Sequence, residues 1–312
     1  MIALVRRHTR EFSVAAAYAA LLGLLAWQAP RYYQHQYASV WVSIAPILVL
    51  AVGMTLVILS RNIDISVGWQ LSVCGVVGGL LAREGMPMPA TVAIVITLGA
   101  LIGAFNGVLV AFMGLPSIVV TLATMVILRQ GLKWARQGEA VYNLPEDFQW
   151  FGLGQTSGQL TLVLVALAVL GIFVWALRWL AAGRAVYAVG SNREAARLAG
   201  IGPKRVIFGV FVLMGALAGL AAMLESVRSP QIDTNAGKGL ELRVIAAVVV
   251  GGVVISGGRG TLPGVLLGVV LLGTIGSALV FLDVHSTWQR ALEGGIILLA
   301  VATDTIRRRP EP

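Results

Sequence analysis

Apolar residues run along this chain in blocks of about 20, separated by short clusters of charge, without the strict alternation that marks half-buried strands. Each block is long enough for a helix to cross a hydrocarbon layer of about 30 Å. The first run, about 13–30, is uncharged between Glu11 and Arg31; the second, 40–60, stops at Arg61, and the third, 64–82, stops at Arg83. From Gly85 to Leu128 there are 44 uncharged residues, too many for one crossing, and Gly114-Leu115-Pro116 divides the stretch into 90–113 and 116–134. Further runs lie at 160–180, 206–226, 242–258, 260–282 and 288–304. The pattern predicts an all-α fold: one polytopic membrane helix bundle over 1–312, with about ten transmembrane helices.

Composition agrees. Of 312 residues, 58% are hydrophobic and 12% charged, with a mean hydropathy of +0.86. A soluble domain carries about a quarter charged residues, so this chain lacks the charge to solvate a globular surface. A disordered tail, a disulfide scaffold and an ordinary cytosolic enzyme are excluded. The single cysteine, Cys74, can form no internal disulfide.

Net charge is +9. It is spread over short loops and termini rather than gathered on a basic face, so no nucleic-acid partner is expected and membrane lipid is. With ten crossings both termini share a side. That side, with loop 181–205 and its flanks, Arg61, Arg259 and the tail, carries 14 cations against nine on the other. Cations mark the cytoplasmic face, which predicts cytoplasmic N- and C-termini in a multi-pass inner-membrane protein. Arg6, Arg7 and Arg10 before the first run resemble the start of a secretory signal. No small-x-small cleavage site follows, and the run is long for a signal core, so it is read as a retained first span.

Many of the 37 glycines fall inside the runs. Gly99, Gly103 and Gly107 form two overlapping GxxxG steps, and Gly215/Gly219 and Gly264/Gly268 repeat the spacing, a pattern that lets helix backbones approach closely in lipid. A short echo links Leu98–Gly103 with Leu272–Gly276, on spans of opposite direction. Inverted repeats are common in transporters, but a match this short does not establish one.

Loop 181–205 is not apolar. Ser191 followed by Glu194 has the spacing of a capping box; the alanine-rich residues after it favour helix, and Gly200 is a natural stop. A two-turn cytoplasmic helix over 191–200 is expected between the sixth and seventh spans. Glu194-Ala195-Ala196-x3-Gly200 resembles the EAA-x3-G loop of ABC importer permease subunits. Gly183-Arg184-x2-Tyr187-Ala188-x-Gly190 is similar to the ribose, rhamnose and autoinducer-2 branch of that family. So are Arg61-Asn62-Ile63-Asp64-Ile65-Ser66-Val67-Gly68, Gly103-x2-Asn106-Gly107 and Pro116-x-Ile118-Val119-x-Thr121-Leu122. The segments Gly239-x-Glu241-Leu242-x3-Ala246-Ala247-Val248-Val249-x-Gly251-Gly252 and Gly257-Gly258-x-Gly260-Thr261-x2-Gly264 continue the likeness, which covers about 40–304.

The resemblance implies that Ser191, Glu194, Ala195, Ala196 and Gly200 belong to a coupling helix seated in a cytoplasmic ABC ATPase. It also implies a second permease subunit, identical or paralogous, and a periplasmic solute-binding protein, which the long outer loop 135–159 could receive; a solvated loop with interfacial aromatics is equally consistent with those residues. No G-x4-G-K-[ST] occurs, so ATP is expected to be used by the partner ATPase, and no cofactor is expected on this chain. No metal or catalytic site is expected either: His8, His35 and His285 are scattered, and no G-x-S-x-G turn presents a serine. Gln70, Asn106, Thr121 and Thr124 are candidates for the solute pathway, and each is equally readable as a hydrogen-bonding partner of a neighbouring helix. Asp64 reads first as a helix-capping residue. An ion-coupled secondary transporter of a small polar solute is the alternative, and the acids lie at span borders rather than mid-bilayer. An intramembrane enzyme would need a catalytic dyad on facing helices that the sequence does not offer.

Overall fold

The structure, a computed structural model, describes residues 9–29, 31–32 and 37–283, with isolated positions at 288, 291, 294 and 295. Eleven α-helices are described: α1 (Thr9–Gln28), α2 (Tyr37–Leu59), α3 (Val67–Arg83), α4 (Met88–Ala111), α5 (Ser117–Arg136), α6 (Gln155–Trp179), α7 (Ala181–Ser191), α8 (Arg193–Leu198), α9 (Pro203–Ser226), α10 (Leu240–Val250) and α11 (Leu262–Phe281). Among the described residues there is no strand, only one antiparallel bridge between Val141 and Ile232. The fold is all-helical, as the pattern predicts.

Six helices, α2, α4, α5, α6, α9 and α11, are long and apolar enough to cross a membrane. Helices α1 and α3 are shorter apolar helices. The expected run 242–258 is not one helix: α10 has 11 residues and stops at Gly251. At 1.5 Å per residue it is about 16 Å long, half a bilayer core. The expected tenth span, 288–304, lies almost wholly outside the described residues.

The GxxxG steps are contacts between helices. Gly99 and Gly103 of α4 lie against the backbone of Phe211 and Gly215 of α9, and Gly219 lies against Val95, with no room for a Cβ at any of the four glycines. Gly268 of α11 packs likewise on Ala247 and Gly251. Carbon–carbon dispersion across such close backbones replaces the hydrophobic effect that lipid cannot supply.

Helices α4 and α9 run antiparallel, Gly99, Gly103 and Gly107 meeting Gly215, Phe211 and Phe208 in reverse order, and the sets α2–α4 and α9–α11 exchange partners. Helix α4 packs on α9 as α11 packs on α2; α9 touches α3 as α2 touches α10; α3 lies on α4 as α10 lies on α11. This is the arrangement of an inverted repeat, and it gives the faint echo between the α4 and α11 sequences a physical setting. The connectors match too. After α2, Ile63-Asp64 forms a turn in which the Ser66 N–H donates to Asp64 Oδ1 at 2.9 Å. After α9, Ile232-Asp233 does the same with the Asn235 N–H at 2.8 Å.

The second connector is re-entrant, which the run lengths did not reveal. Ile232 packs on Gly75 and Gly79, and five residues later Gly237 packs on Gly68, its N–H donating to Ser72 Oγ at 2.9 Å. The chain thus descends along α3 before Gly239, at φ +83°, turns it into α10. Loop 137–154 covers the same end. Its Val141 bonds to Ile232, the Trp150 N–H donates to Val227 O at 2.9 Å, and Phe148 is buried.

Candidate functional site

Loop 181–205 holds two helices where one was expected. Helix α7 turns back from α6 because Gly183 lies directly on Ala176 and Leu177. Tyr187 fixes it at the other side, its hydroxyl donating to Gly260 O at 2.9 Å; burial pushes this phenol up from its ordinary pKa, so it stays a donor. Gly190 then sits on the Leu59 carbonyl.

The expected cap is corrected by one residue. Asn192, in extended conformation, accepts from the Glu194 and Ala195 N–H groups at 3.0 Å each and starts α8. Ser191 is still helical, the last residue of α7, so its hydroxyl does not face those amides. Nor does the Glu194 carboxylate return to the backbone: it accepts from Arg197 Nη2 at 2.6 Å. Gly200, at φ +79°, stops the helix as expected. Its N–H donates to Arg197 O and the Ile201 N–H to Ala196 O, both at 3.0 Å, the double closure of a Schellman motif. Ala196 alone in α8 is buried. Glu194 and Ala195 are exposed, and Leu198 is 80% exposed, an apolar knob on a polar helix.

A second constellation lies where α3, α4 and α5 meet. Asp64, Ser66, Gln70, Asn106 and Thr124 are all buried. Ser66 Oγ donates to Asp64 Oδ1 at 2.5 Å and accepts from Gln70 Nε2 at 2.7 Å and Asn106 Nδ2 at 3.0 Å. Gln70 Nε2 also faces Asp64 Oδ2 at 3.2 Å, and Thr124 donates to Asn106 Oδ1 at 2.6 Å. Asp64 is therefore more than a cap: it anchors a side-chain network across three helices. Gln70 Oε1 is left without a partner, which costs about 1–3 kcal/mol when buried.

Of the four pathway candidates, Gln70, Asn106 and Thr124 are thus joined. Thr121 stands beside them, its hydroxyl directed at Ser117 O (2.9 Å) and Ile63 O (3.3 Å), bracing the connector. Ser66 escaped sequence reasoning, although its spacing of four from Gln70 places both on one helix face.

Two clefts lie beside the connectors 60–66 and 227–239. One, of about 320 Å³, opens beside α8 between Arg61, Asn62, Gly114, Pro116, Ser117 and Arg193. The other, of about 240 Å³, lies at the re-entrant connector, between Ser72, Glu225, Ser229, Gln231 and Asp233.

Residues 36–301 match the family model described as "Branched-chain amino acid transport system / permease component". The chain belongs to this permease family. The permease is 36% identical over 260 residues to the ribose import permease protein RbsC of Escherichia coli (strain K12), covering 82% of this chain and 81% of that one. It is 33% identical over 296 residues to the autoinducer 2 import system permease protein LsrC of Enterobacter sp. (strain 638), covering 95% and 86%. The LsrC of Photorhabdus luminescens is 32% identical over 305 residues, covering 96% and 90%. No solved structure matches the permease. Its place is that of a transmembrane permease subunit of an ABC importer, a multi-pass protein of the inner membrane. These relatives favour this reading over the ion-coupled alternative.

Proposed function

We propose that the permease carries a small hydroxyl-rich solute, a pentose, deoxyhexose or similar sugar-like molecule, inward by alternating access. A cytoplasmic ABC ATPase supplies the energy, and ATP is bound there and not by this chain. Both termini and α8 face the cytoplasm, and the chain crosses the membrane about ten times, the re-entrant segment and α10 together making one of the crossings. The solute-binding protein docks at the opposite end, over loop 137–154 and the re-entrant connector. A second permease subunit, identical or paralogous, completes the membrane unit.

The observation that carries this reading is α8. It is a short helix capped at both ends, standing on the cation-rich side of the chain. One small residue, Ala196, is turned to the bundle, while Leu198 and Ala195 are turned outward. That shape fits a cleft on a partner. The solute class follows from the import permeases RbsC and LsrC and from the amide, hydroxyl and carboxylate groups of the buried network, which can exchange their mutual hydrogen bonds for those of solute hydroxyls.

The test is uptake of labelled ribose into proteoliposomes holding the permease, its ATPase and its binding protein. Uptake is expected to require ATP inside and to be unmoved by an ion gradient. Uptake driven by a gradient without nucleotide would contradict the reading. Gly200→Trp probes the coupling itself. At φ +79° a side chain is strained even though space is open, and the closure of α8 shifts. Binding-protein-stimulated ATP hydrolysis should fall about tenfold, with the permease still inserted; unchanged stimulation counts against α8 as the seat.

A further inference from the structure

Between α8 and the buried network runs a single non-helical connector, residues 60–66. One end is gripped at the α7–α8 junction. Arg61 Nη2 donates to the carbonyl of Ser191, the residue before the α8 cap, at 2.6 Å. Arg61 holds a positive φ of 63°, a left-handed conformation that a non-glycine side chain disfavours. Three glycines remove any slack around it. Gly190 packs on Leu59 O, Gly257 on the Arg61 stem, and Gly258 on Ser191, while the Gly258 N–H donates to Leu59 O at 2.9 Å.

The other end is built into the network. Ile63 N–H donates to Ser117 Oγ at 3.2 Å and Ile63 O faces Thr121 Oγ1. Asp64, one residue on, accepts from Ser66 and faces Gln70. Arg61 and Asp64 are three residues apart, so a displacement of the Ser191 carbonyl reaches the network through a short stretch of non-helical chain, at most about 10 Å long. Asn62 stiffens that stretch, its Nδ2 donating to Ser60 O at 2.9 Å and facing Ser60 Oγ at 3.0 Å.

We propose that Arg61 is a positioning residue, the latch through which movement of α8 is passed along the 60–66 connector to the Asp64–Ser66–Gln70–Asn106–Thr124 network, so that ATPase closure rearranges the solute path. The latch rests on α8 being the ATPase seat. A charge-assisted bond to a backbone carbonyl suits this task. It is strong, and its acceptor moves with the main chain of the junction rather than with a side chain that can rotate away.

The experiment measures solute imported per ATP hydrolysed in the reconstituted complex. Arg61→Met keeps a stem on Gly257 and removes the donor; Arg61→Lys keeps a cationic donor. With Met, co-purification with the ATPase and basal hydrolysis are expected to stay within about twofold of the unaltered protein, while solute per ATP falls at least about tenfold. Lys is expected to recover half or more of the ratio. A normal ratio with Met overturns the latch, and so does loss of the ATPase from the Met complex, which would make Arg61 a docking residue. Failure of Arg61→Met to fold, with Lys intact, assigns the residue to folding and likewise overturns it. Absence of ATP-driven uptake in the unaltered complex is a separate result: it overturns the reading of α8 beneath the proposal, and the proposal with it.

Discussion

Asn192 and Ser191 competed for one role, and backbone conformation decided between them. A cap must stand in extended conformation so that its oxygen can face the first free amides; Asn192 does, at φ −157°, and Ser191 is helical. Asn192→Ala should cost α8 about 1 kcal/mol and weaken ATPase binding several-fold, whereas Ser191→Ala should stay within about twofold. Affinity measured with each variant checks this; an equal loss from both would return the cap to Ser191. The sequence pointed to Ser191 alone, because its spacing from Glu194 is that of a capping box. What the sequence did not show was that a separate helix, α7, runs on to Ser191. In the fold Gly183 and Gly190 are contact points on Leu177 and Leu59. The clustering of the buried polar residues was legible for a simpler reason. An amide or hydroxyl amid 20 apolar residues must find a partner; Gln70 and Asn106 meet at Ser66, and Thr124 donates to Asn106.

Long helices were read closely, broken ones poorly. Run length located α2, α4, α5, α9 and α11 to within about three residues, since a crossing helix must be continuous and apolar. The same criterion merged α10 with the turn after it, because Val253, Val254 and Ile255 are apolar though not helical. Re-entry of 227–239 was hidden by its polarity, which reads as a surface loop. It tolerates depth because α3 and loop 137–154 supply its partners, as irregular backbone within a membrane requires. Gly237 is where this packing is tightest, against the Gly68 backbone. Gly237→Ala forces the two chains apart and should destabilise the bundle by about 1–3 kcal/mol, the usual cost of overpacking. Lys238→Ala, at an exposed neighbour, should change stability by no more than about 0.5 kcal/mol. Thermal unfolding in detergent compares them; equal stability of both variants would mean that the connector does not seat on α3 as described.

At the scale of the whole molecule, two corresponding sets of helices each carry a polar connector with a cleft beside it, and the 60–66 connector is built into the buried network. On the mechanism proposed above, alternating access would have the connectors loosen in turn, 60–66 under the pull of α8 and 227–239 under the binding protein. All of this depends on which way the molecule stands in the membrane. Leu198→Cys, at the exposed tip of α8, decides it most directly, since the one native cysteine, Cys74, is buried. A membrane-impermeant maleimide should label Leu198→Cys in inverted membrane vesicles, with labelling blocked when the ATPase is bound, and should leave it unlabelled in intact spheroplasts. Labelling in intact spheroplasts would put α8 outside and contradict the account.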